Sequence, residues 1–509
     1  MCTSVNERAA RFGRSLVRLS FLAICLVFPG CSVGPKYALP PVKTAPAYKE
    51  LPQPAASGPE TWQTAKPSDG AARGKWWKAF NDPQLDELEE KASSSNQQIA
   101  AAVDNFVAAR ALVKQARSQY FPTLRTNPSI TRQRPSPAQF SGLQSGASSS
   151  SGLAVKTYND FSLPFDASWE PDFWGRVRNS VKASTYAAQA SAADLESVRL
   201  GVQAELAVDY YELRAQDSLK KLFDSTVAAY QEDLDLTRSQ YRAGLSSDEA
   251  VAQAEAQLKA AQAQDTNLGI LRAQYEHAIA VFIGQSASAF SLPANDSEPD
   301  LPTIPVGVPS ELLERRPDIA SAERAMAQAN AEIGVAKAAY FPNIVLSATG
   351  GFGNSSISTW LTWPGRFWSV GSSLAETIFD AGLRKATVQQ YRATYDQTVA
   401  NYQQTVLKAF QQVEDNLASV RILEQDIDQQ NAATEAAARA LQEATTRYKA
   451  GLDPYLNVIA AQTALLNDQQ TAVIFRMERM VAEVQLIKAL GGGWDASRIP
   501  SAKDVGKGQ

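Results

Sequence analysis

The sequence has few of the residues on which catalysis and metal binding most often depend. Its 509 residues include one histidine, His277, in a helical stretch without a ligand-spaced pattern of Cys, Asp or Glu around it. It also lacks a glycine-rich phosphate loop and a GxSxG nucleophile turn. We therefore expect no enzymatic activity, no cofactor and no metal.

An excess of basic residues is absent as well. The chain has 49 Lys and Arg residues against 53 Asp and Glu residues, which gives a formal net charge of −4. A protein that holds a nucleic-acid backbone needs basic residues to neutralise its phosphates. Nucleic acid is therefore not an expected partner.

The N-terminus has no apolar run long enough to cross a bilayer. A basic region that includes Arg11, Arg14 and Arg18 precedes a short apolar run, Leu19 to Phe28, whereas a membrane-spanning helix needs about 20 apolar residues. A basic segment followed by a short apolar one is typical of an export signal that is later removed. We predict such a signal peptide at residues 1–30.

Cysteine is scarce, and Cys31 is the one that would remain after removal of the signal peptide. Cys31 directly follows Gly30 at the end of the apolar run, which resembles bacterial lipoproteins, where this cysteine carries acyl chains such as palmitate. The alternative is cleavage nearby with Cys31 left as a free thiol. Because a lone cysteine cannot form an intramolecular disulfide, lipidation explains its presence better. We predict a lipid anchor and a Pro-rich extended segment over residues 31–80.

The chain also contains an internal duplication. Three short segments recur in the same order, which makes chance matches improbable. Ser118–Pro122 matches Ala338–Pro342, Asp172–Arg176 matches Asp380–Arg384, and Tyr241–Leu245 matches Tyr448–Leu452. The predicted domains are a first repeat at 81–285, a Pro-rich linker at 286–310, a second repeat at 311–494 and a C-terminal tail at 495–509.

Each repeat is predicted to run helix, strand, strand, long helix, turn, helix. Apolar residues spaced by three and four, such as Val388, Tyr391, Tyr395, Val399 and Tyr402, are typical of coiled-coil packing. The predicted helix from Arg176 to Tyr241 would be about 100 Å long, longer than a compact globule needs. The expected fold is therefore a long α-helical coiled coil.

Both long helices are predicted to end in a tight turn. Gly244 and Gly451 occupy the positions where a left-handed residue is expected after a helix. In the first turn, Ser246 and Glu249 have the spacing of a capping box. In the second turn, Asp453 is predicted to cap the next helix and Pro454 to begin it.

Two predicted β-hairpins, at about 122–170 and 342–379, separate the helices. Their first predicted strand covers Leu124 to Arg132, and their last extends from Trp368 to Ile378. Residues 160–169 alternate apolar and polar side chains, with Phe161, Leu163 and Phe165 on one face. Strands of about ten residues match the length of membrane-spanning β-strands. The connections Arg134 to Thr157 and Asn354 to Pro364 are predicted to be polar. The alternative is a pair of soluble hairpins that cap a helical bundle.

Four strands cannot close a barrel, and unpaired strand edges are not tolerated in lipid. Bacterial barrels have at least about 8 strands. Two copies would give a barrel too narrow for a conduit, whereas three would give 12 strands. This reasoning favours a homotrimer with a 12-stranded transmembrane barrel.

A series of short motifs, taken in order, resembles one known family. They are Cys31 with Gly34–Tyr37, Trp76–Trp77 with Phe80, Asp82, Pro83 and Leu85, Pro309 with Leu312–Leu313, Arg315–Ile319, Ala322–Glu323, Tyr340–Pro342, and Leu490–Trp494. The chain is similar to the TolC-like outer-membrane factors, specifically the NodT-type lipoproteins of resistance-nodulation-division efflux systems.

This resemblance implies a lipid-anchored homotrimer in the bacterial outer membrane. Its helical tube would extend into the periplasm and pass small molecules, antibiotics among them, to the exterior. Its partners would be a periplasmic adapter, docked at the tips around Gly244 and Gly451, and an inner-membrane resistance-nodulation-division pump. The sequence does not indicate the transported substrate.

The resemblance also suggests where the duct closes. Leu456 matches an apolar gate position, and Arg447 and Lys449 match basic positions that hold the closed state. These two basic residues are expected to pair with acids on a neighbouring hairpin. Relatives often carry an Asp where this chain has Ala460, so an acidic ring would have to be formed by other acids. The candidates are Asp453 in the second turn and Asp248 with Glu249 in the first.

Two other functions remain as alternatives. A periplasmic adapter lipoprotein also carries coiled-coil hairpins, but adapters lack a duplicated chain with amphipathic strands between the helices. A secreted coiled-coil structural rod would explain the helices without any transport role.

Overall fold

The structure is a computed structural model that describes residues 33–41, 45, 47–50, 75–134, 157–295 and 312–506. The predicted signal peptide, Cys31 and residues 296–310 of the linker lie outside the described residues. Among the helices within these ranges, none combines the length and apolar character that a membrane crossing requires.

The first repeat contains four helices and three strands. In chain order they are α1 (Pro83–Ser95), α2 (Gln97–Ser118), β1 (Thr123–Thr126), β2 (Ser129–Gln133), β3 (Tyr158–Trp169), α3 (Arg176–Arg242) and α4 (Asp248–Phe282).

The second repeat follows the same plan. Its elements are the one-turn helix α5 (Leu312–Arg315), α6 (Pro317–Ala338), β4 (Asn343–Asn354), β5 (Arg366–Ala375), α7 (Leu383–Lys449) and α8 (Tyr455–Ala489), and the short helix α9 (Ala502–Gly506) follows in the tail.

The duplication extends to helix lengths. Helices α2 and α6 each have 22 residues, α3 and α7 each have 67, and α4 and α8 each have 35. Gly175 and Gly382, with φ of +81° and +90°, precede the two long helices. The sequence match that put Asp172 opposite Asp380 is therefore one residue out of register. The segment before α7 is one residue shorter, although both carboxylates accept hydrogen bonds from backbone N–H groups at the start of their helix.

The strands form one antiparallel sheet. Strands β1 and β2 both pair with β3, β3 pairs with β4, and β4 pairs with β5. The predicted first strand is thus interrupted at Asn127 and Pro128, where proline has no N–H to donate. The chain therefore follows four strand paths. The extension of the last strand to Ile378 was wrong, since β5 ends at Ala375 and the Thr377 carbonyl accepts a hydrogen bond from Arg384.

The sheet has one apolar and one polar face. Directly paired residues of antiparallel strands lie on the same face. The apolar face carries Leu124, Ala167, Ala348 and Val370 in one row and Phe165, Gly350 and Trp368 in the next. On the polar face, Arg125, Asp166, Thr349 and Ser369 form a row, in which the Thr349 hydroxyl donates to Asp166 at 2.6 Å.

The connection between β4 and β5 differs from its prediction as a polar loop. It forms two short 3₁₀ turns, and Ile357, Leu361 and Trp363 are 68%, 63% and 73% exposed. Trp360 instead covers Phe161, with 5.7 Å between ring centroids, and its indole N–H donates to the Phe352 carbonyl. The connection between β2 and β3 lies outside the described residues except at its ends.

The main core lies near the middle of the long helices. Leu206, Tyr210 and Leu213 of α3 are fully buried, together with Val484 of α8. Residues Trp76–Phe80 form a 3₁₀ turn that inserts three buried aromatic rings into this core. The prediction of an extended segment through residue 80 is therefore wrong for these residues, because their rings gain burial in the turn.

The described residues 33–41, 45 and 47–50 lie along the helices between the sheet and this core. The Val33 N–H donates to the Trp174 carbonyl beside the sheet, and the Tyr37 hydroxyl donates to Glu323 of α6. Further along, Glu50 pairs with Arg421 of α7 at 2.7 Å. The N-terminal segment therefore binds helices of both repeats.

Candidate functional site

The first hairpin tip joins α3 to α4 through a glycine turn. Gly244 has a φ of +72°, its N–H donates to the Tyr241 carbonyl, and the Leu245 N–H donates to the Gln240 carbonyl at 2.8 Å. This pair of backbone hydrogen bonds is typical of a helix that ends at a residue in the left-handed conformation. Leu245 is left 80% exposed at the end of the molecule.

The capping residue of this tip differs from the prediction. Helix α4 begins at Asp248, and the Ser247 hydroxyl, not that of Ser246, accepts a hydrogen bond from the Ala250 N–H at 3.2 Å. The glycine turn ends at Leu245 and α4 begins at Asp248, so Ser247 rather than Ser246 occupies the position just before the helix. Asp248 and Glu249 occupy the first turn of α4, where the helix dipole stabilises negatively charged side chains.

The second tip repeats the turn between α7 and α8. Gly451 has a φ of +70°, and the Leu452 N–H donates to the Arg447 carbonyl at 3.0 Å. The Arg447 guanidinium binds both carboxylate oxygens of Asp453, at 2.5 and 3.2 Å. This bond holds the pKa of the Asp453 carboxyl below its usual range.

The predicted capping role of Asp453 is therefore wrong. Its carboxylate is turned towards Arg447, and α8 begins at Tyr455 with Pro454 in the capping position and no side-chain cap. The structure also pairs Arg447 within its own tip, whereas the sequence had suggested acids on a neighbouring hairpin.

The other predicted gate residues lie on the surface of the second tip. Leu456 is 57% exposed because its neighbour Tyr455 faces the core between the hairpins. Lys449 and Ala460 are also exposed. Burial raises the pKa of Asp233, a residue of the other hairpin, and the positive charge of Lys449 opposes part of this rise.

Polar side chains link the two hairpins just behind the tips. Gln462 of α8 donates to the Asp233 carboxylate of α3 at 2.5 Å, and the Tyr448 hydroxyl donates to Gln240 at 2.7 Å. Around these bonds pack apolar side chains from all four helices, including Tyr230, Leu234, Leu258, Tyr455 and Val458. The two tips of one chain therefore form a single unit.

Sequence reasoning missed the Asp233–Gln462 contact. Gln462 is 6% exposed although it is polar, and burial raises the pKa of Asp233 above its usual value. A buried polar residue within an apolar stripe was the available signal. Its partner lies 229 residues away in the chain, so helical periodicity could not identify it.

In the described ranges, no group of three His, Cys, Asp or Glu side chains could hold a metal ion. His277 lies exposed on α4.

A two-faced sheet that carries helical hairpins about 100 Å long is the architecture of an outer-membrane channel subunit. Sequence comparison identifies the family: residues 88–285 and 308–492 match the outer membrane efflux protein family, to which this chain belongs. The protein is an outer-membrane channel component of a bacterial efflux system. This is a family of transport channels.

Relatives match over nearly the whole chain. The probable efflux pump outer membrane protein TtgC of Pseudomonas putida is 32% identical over 480 residues, which are 94% of this chain and 95% of TtgC. The pyoverdine export outer membrane protein OpmQ of Pseudomonas aeruginosa is 30% identical over 490 residues, 95% of this chain and 98% of OpmQ.

Solved structures match equally widely. The outer-membrane channel OprN superposes with a TM-score of 0.78 at 30% identity, covering 91% of this chain and 100% of OprN. The open state of the MtrE outer membrane channel of Neisseria gonorrhoeae gives 0.77 at 26% identity, covering 92% and 99%.

Proposed function

We propose that three copies of the chain pool their strands into a 12-stranded barrel, which serves as a passive duct through the outer membrane. The observation that carries this proposal is the sheet itself. Its apolar face extends across all four strand paths, and within the described ranges its two outermost strands are each paired on one side only. Lipid does not tolerate unpaired backbone groups.

In this barrel, the apolar face of the sheet would lie outside and the polar face inside. Exposed residues such as Leu124, Trp368 and Val370, which are 72%, 77% and 74% exposed, would face lipid. The row of Arg125, Asp166, Thr349 and Ser369 would line a wet interior. Three copies with four strand paths each give a barrel of 12 strands, which is wide enough for a conduit, whereas two copies give only eight.

The periplasmic end closes at the helical tips in this proposal. Leu456 meets its copies across the threefold axis, and the Arg447–Asp453 pair holds each second tip in shape. The positive charge of Lys449 on the second hairpin acts on the carboxylate of Asp233 in the first. Asp248 and Glu249 supply negative charge in place of the acid that Ala460 lacks. Opening then needs a partner that binds the open arrangement more tightly.

The proposed protein partners lie at the periplasmic end of the molecule. A periplasmic adapter docks on the exposed turns at Gly244 and Gly451 and couples the duct to an inner-membrane resistance-nodulation-division pump. Relatives of 30–32% identity bear names that refer to toluene, antibiotic and pyoverdine efflux. Such different cargoes suit a duct that takes its specificity from its pump.

The N-terminal segment supports lipidation at Cys31. Val33, two residues later, is bound through its N–H to Trp174 and through its carbonyl to Asn179, where the sheet meets the helices. Acyl chains on Cys31 would enter the inner leaflet there. Mass spectrometry of the mature N-terminus tests this, and an unmodified N-terminus elsewhere would exclude it.

Conductance in planar bilayers tests the duct. The purified full chain should form long-lived ion-conducting channels that open further when the adapter is added. A periplasmic adapter or a structural rod would leave the bilayer electrically silent, so silence from correctly assembled protein would refute the proposal.

A further inference from the structure

The outer end of the sheet combines arginine with tryptophan on the apolar face. The strands meet the helices at Thr123, Trp169, Asn343 and Ala375, so their other ends point away from the periplasmic helices. At these far ends lie Arg132, next to last in β2, and Arg366, the first residue of β5. This end faces the exterior if the sheet spans the membrane as proposed.

The strand register places both arginines on the lipid side. Arg132 pairs with Asn159, two residues from Phe161, and Arg366 pairs with Phe352, which pairs in turn with Leu163. Among the described strand residues of this face, these arginines are the ionisable ones. The acids Asp160 and Asp166 lie on the opposite face. Among its described strand residues, the apolar face therefore carries positive charge alone, and it carries this charge at its outer end.

The guanidinium of Arg366 is already held in place. Its carbon Cζ lies 4.0 Å from the ring centroid of Trp363, which is itself 73% exposed. A stacked guanidinium keeps its edge N–H groups available for bidentate hydrogen bonds to an oxyanion. Ile357 and Leu361 are exposed beside Trp363 on the same connection, which suits a headgroup layer better than open water.

We propose that Arg132 and Arg366 bind the phosphate groups of lipid A, the phosphorylated glycolipid of the outer leaflet. This inference rests on the proposed membrane insertion of the sheet. Arg132 and Arg366 lie on the two opposite edges of the sheet, so closing three sheets into a barrel brings these edges together at each seam between chains. Each seam would then hold one cationic site, with Trp363 and the neighbouring apolar side chains contacting the acyl chains.

Native mass spectrometry of the full-length trimer, with added bisphosphorylated lipid A, measures this binding. The parent should retain lipid A about tenfold more tightly than the Arg132→Ala/Arg366→Ala double variant, since a charge-assisted hydrogen bond is worth more than the neutral kind. Arg125→Ala removes an arginine from the polar face and should bind like the parent. Arg366→Lys keeps the charge but loses the stacking, so it should fall between the two.

Two further probes identify the ligand. Dephosphorylated lipid A and phosphatidylglycerol should each bind the parent about as weakly as lipid A binds the double variant. Equal retention of lipid A and either probe, or full retention by the double variant, would overturn the inference. Co-flotation with phosphatidylcholine vesicles keeps the two proposals apart: loss of flotation in the parent refutes the membrane sheet, whereas normal flotation without phosphate preference refutes only the lipid A site.

Discussion

Gln462 of the second hairpin donates a hydrogen bond to the carboxylate of Asp233 in the first hairpin, at 2.5 Å. The pair lies behind the tips, within the apolar cluster that joins the two hairpins. Burial raises the pKa of Asp233, while the hydrogen bond from Gln462 opposes this shift. The carboxylate therefore depends on its partner, and the contact is well placed to keep the hairpins together in the closed state.

Removing the donor should loosen the tips. Gln462→Leu fills similar volume but leaves the Asp233 carboxylate without this bond, which should cost about 1–3 kcal/mol of local stability. Hydrogen exchange of the backbone around Tyr448 and Gln462 should become faster. Gln253→Leu, which removes an exposed contact to Glu249 within one helix, is the control and should leave exchange unchanged. Unaltered exchange in Gln462→Leu would show that the polar bond does not hold the hairpins.

The gate itself is tested by truncating Leu456 and Arg447 together. The double change to Ala removes the exposed leucine and the partner of Asp453, so single-channel conductance and sensitivity to large antibiotics should rise. Leu407→Ala removes a leucine of similar exposure far from the tips and should leave conductance at the parental value. If the double variant conducts no better than the parent, the constriction lies elsewhere, and the role of Ala460 needs to be reconsidered.

The second glycine turn should tolerate no β-branched residue. Gly451 has a φ of +70°, and an added Cβ would meet no atom within 4 Å. The cost of Gly451→Val is therefore conformational, about 1–2 kcal/mol or more, and it should abolish adapter binding measured by surface plasmon resonance. Gly201→Ala, where a Cβ is equally unobstructed inside α3, should instead stabilise the helix. Undiminished adapter binding by Gly451→Val would remove this turn from the docking surface.

Much of the architecture was accessible from the sequence because it is repetitive. Apolar spacing placed the long helix from Arg176 within one residue of its end at Arg242, and alternation around Phe161 placed the faces of β3. Both glycine turns followed from the backbone conformation that glycine alone adopts readily. Pro128 was a visible signal for the break in the first strand, and it was overlooked.

The sequence predictions that were wrong concern side chains that could make more than one local hydrogen bond or ion pair. Asp453 could cap a helix or pair with Arg447, and the fold of the turn favours the arginine. Ser246 and Ser247 are chemically identical, so only the end of the preceding turn selects Ser247. Contacts between hairpins depend on how two helices of 67 residues align, and no short motif encodes that alignment.

A buried glutamate gives the protein a predicted pH dependence. Glu483 is 2% exposed, and burial raises the pKa of its carboxyl to about 7, although Arg479 opposes the shift. A carboxyl group with a raised pKa stabilises the folded state below its unfolded value of 4.5, and this contribution is lost as the pH rises through about 7. The parent should therefore lose about 2–3 kcal/mol between pH 5 and pH 8 that Glu483→Gln retains.

Thermal unfolding of the two proteins at several pH values measures this difference. Arg479 keeps its contact with Glu424 in the variant, so no cation is left without a carboxylate. Glu255→Gln, whose parent side chain is 50% exposed on α4, should unfold with the pH profile of the parent. Identical profiles for Glu483→Gln and the parent would mean that Glu483 titrates normally.

Cross-linking between the outermost strands tests the trimeric barrel most directly. Arg125→Cys in β1 and Ser369→Cys in β5 lie in one row of the polar face, at opposite edges of the sheet. With Cys2, Cys25 and Cys31 all replaced by Ser as background, a flexible bifunctional maleimide should join these cysteines between chains and give denatured species of two and three chains, with none larger. Each single-cysteine variant should remain a monomer on the same gel. Monomers alone from the paired variant, or a ladder extending beyond three chains, would contradict the account.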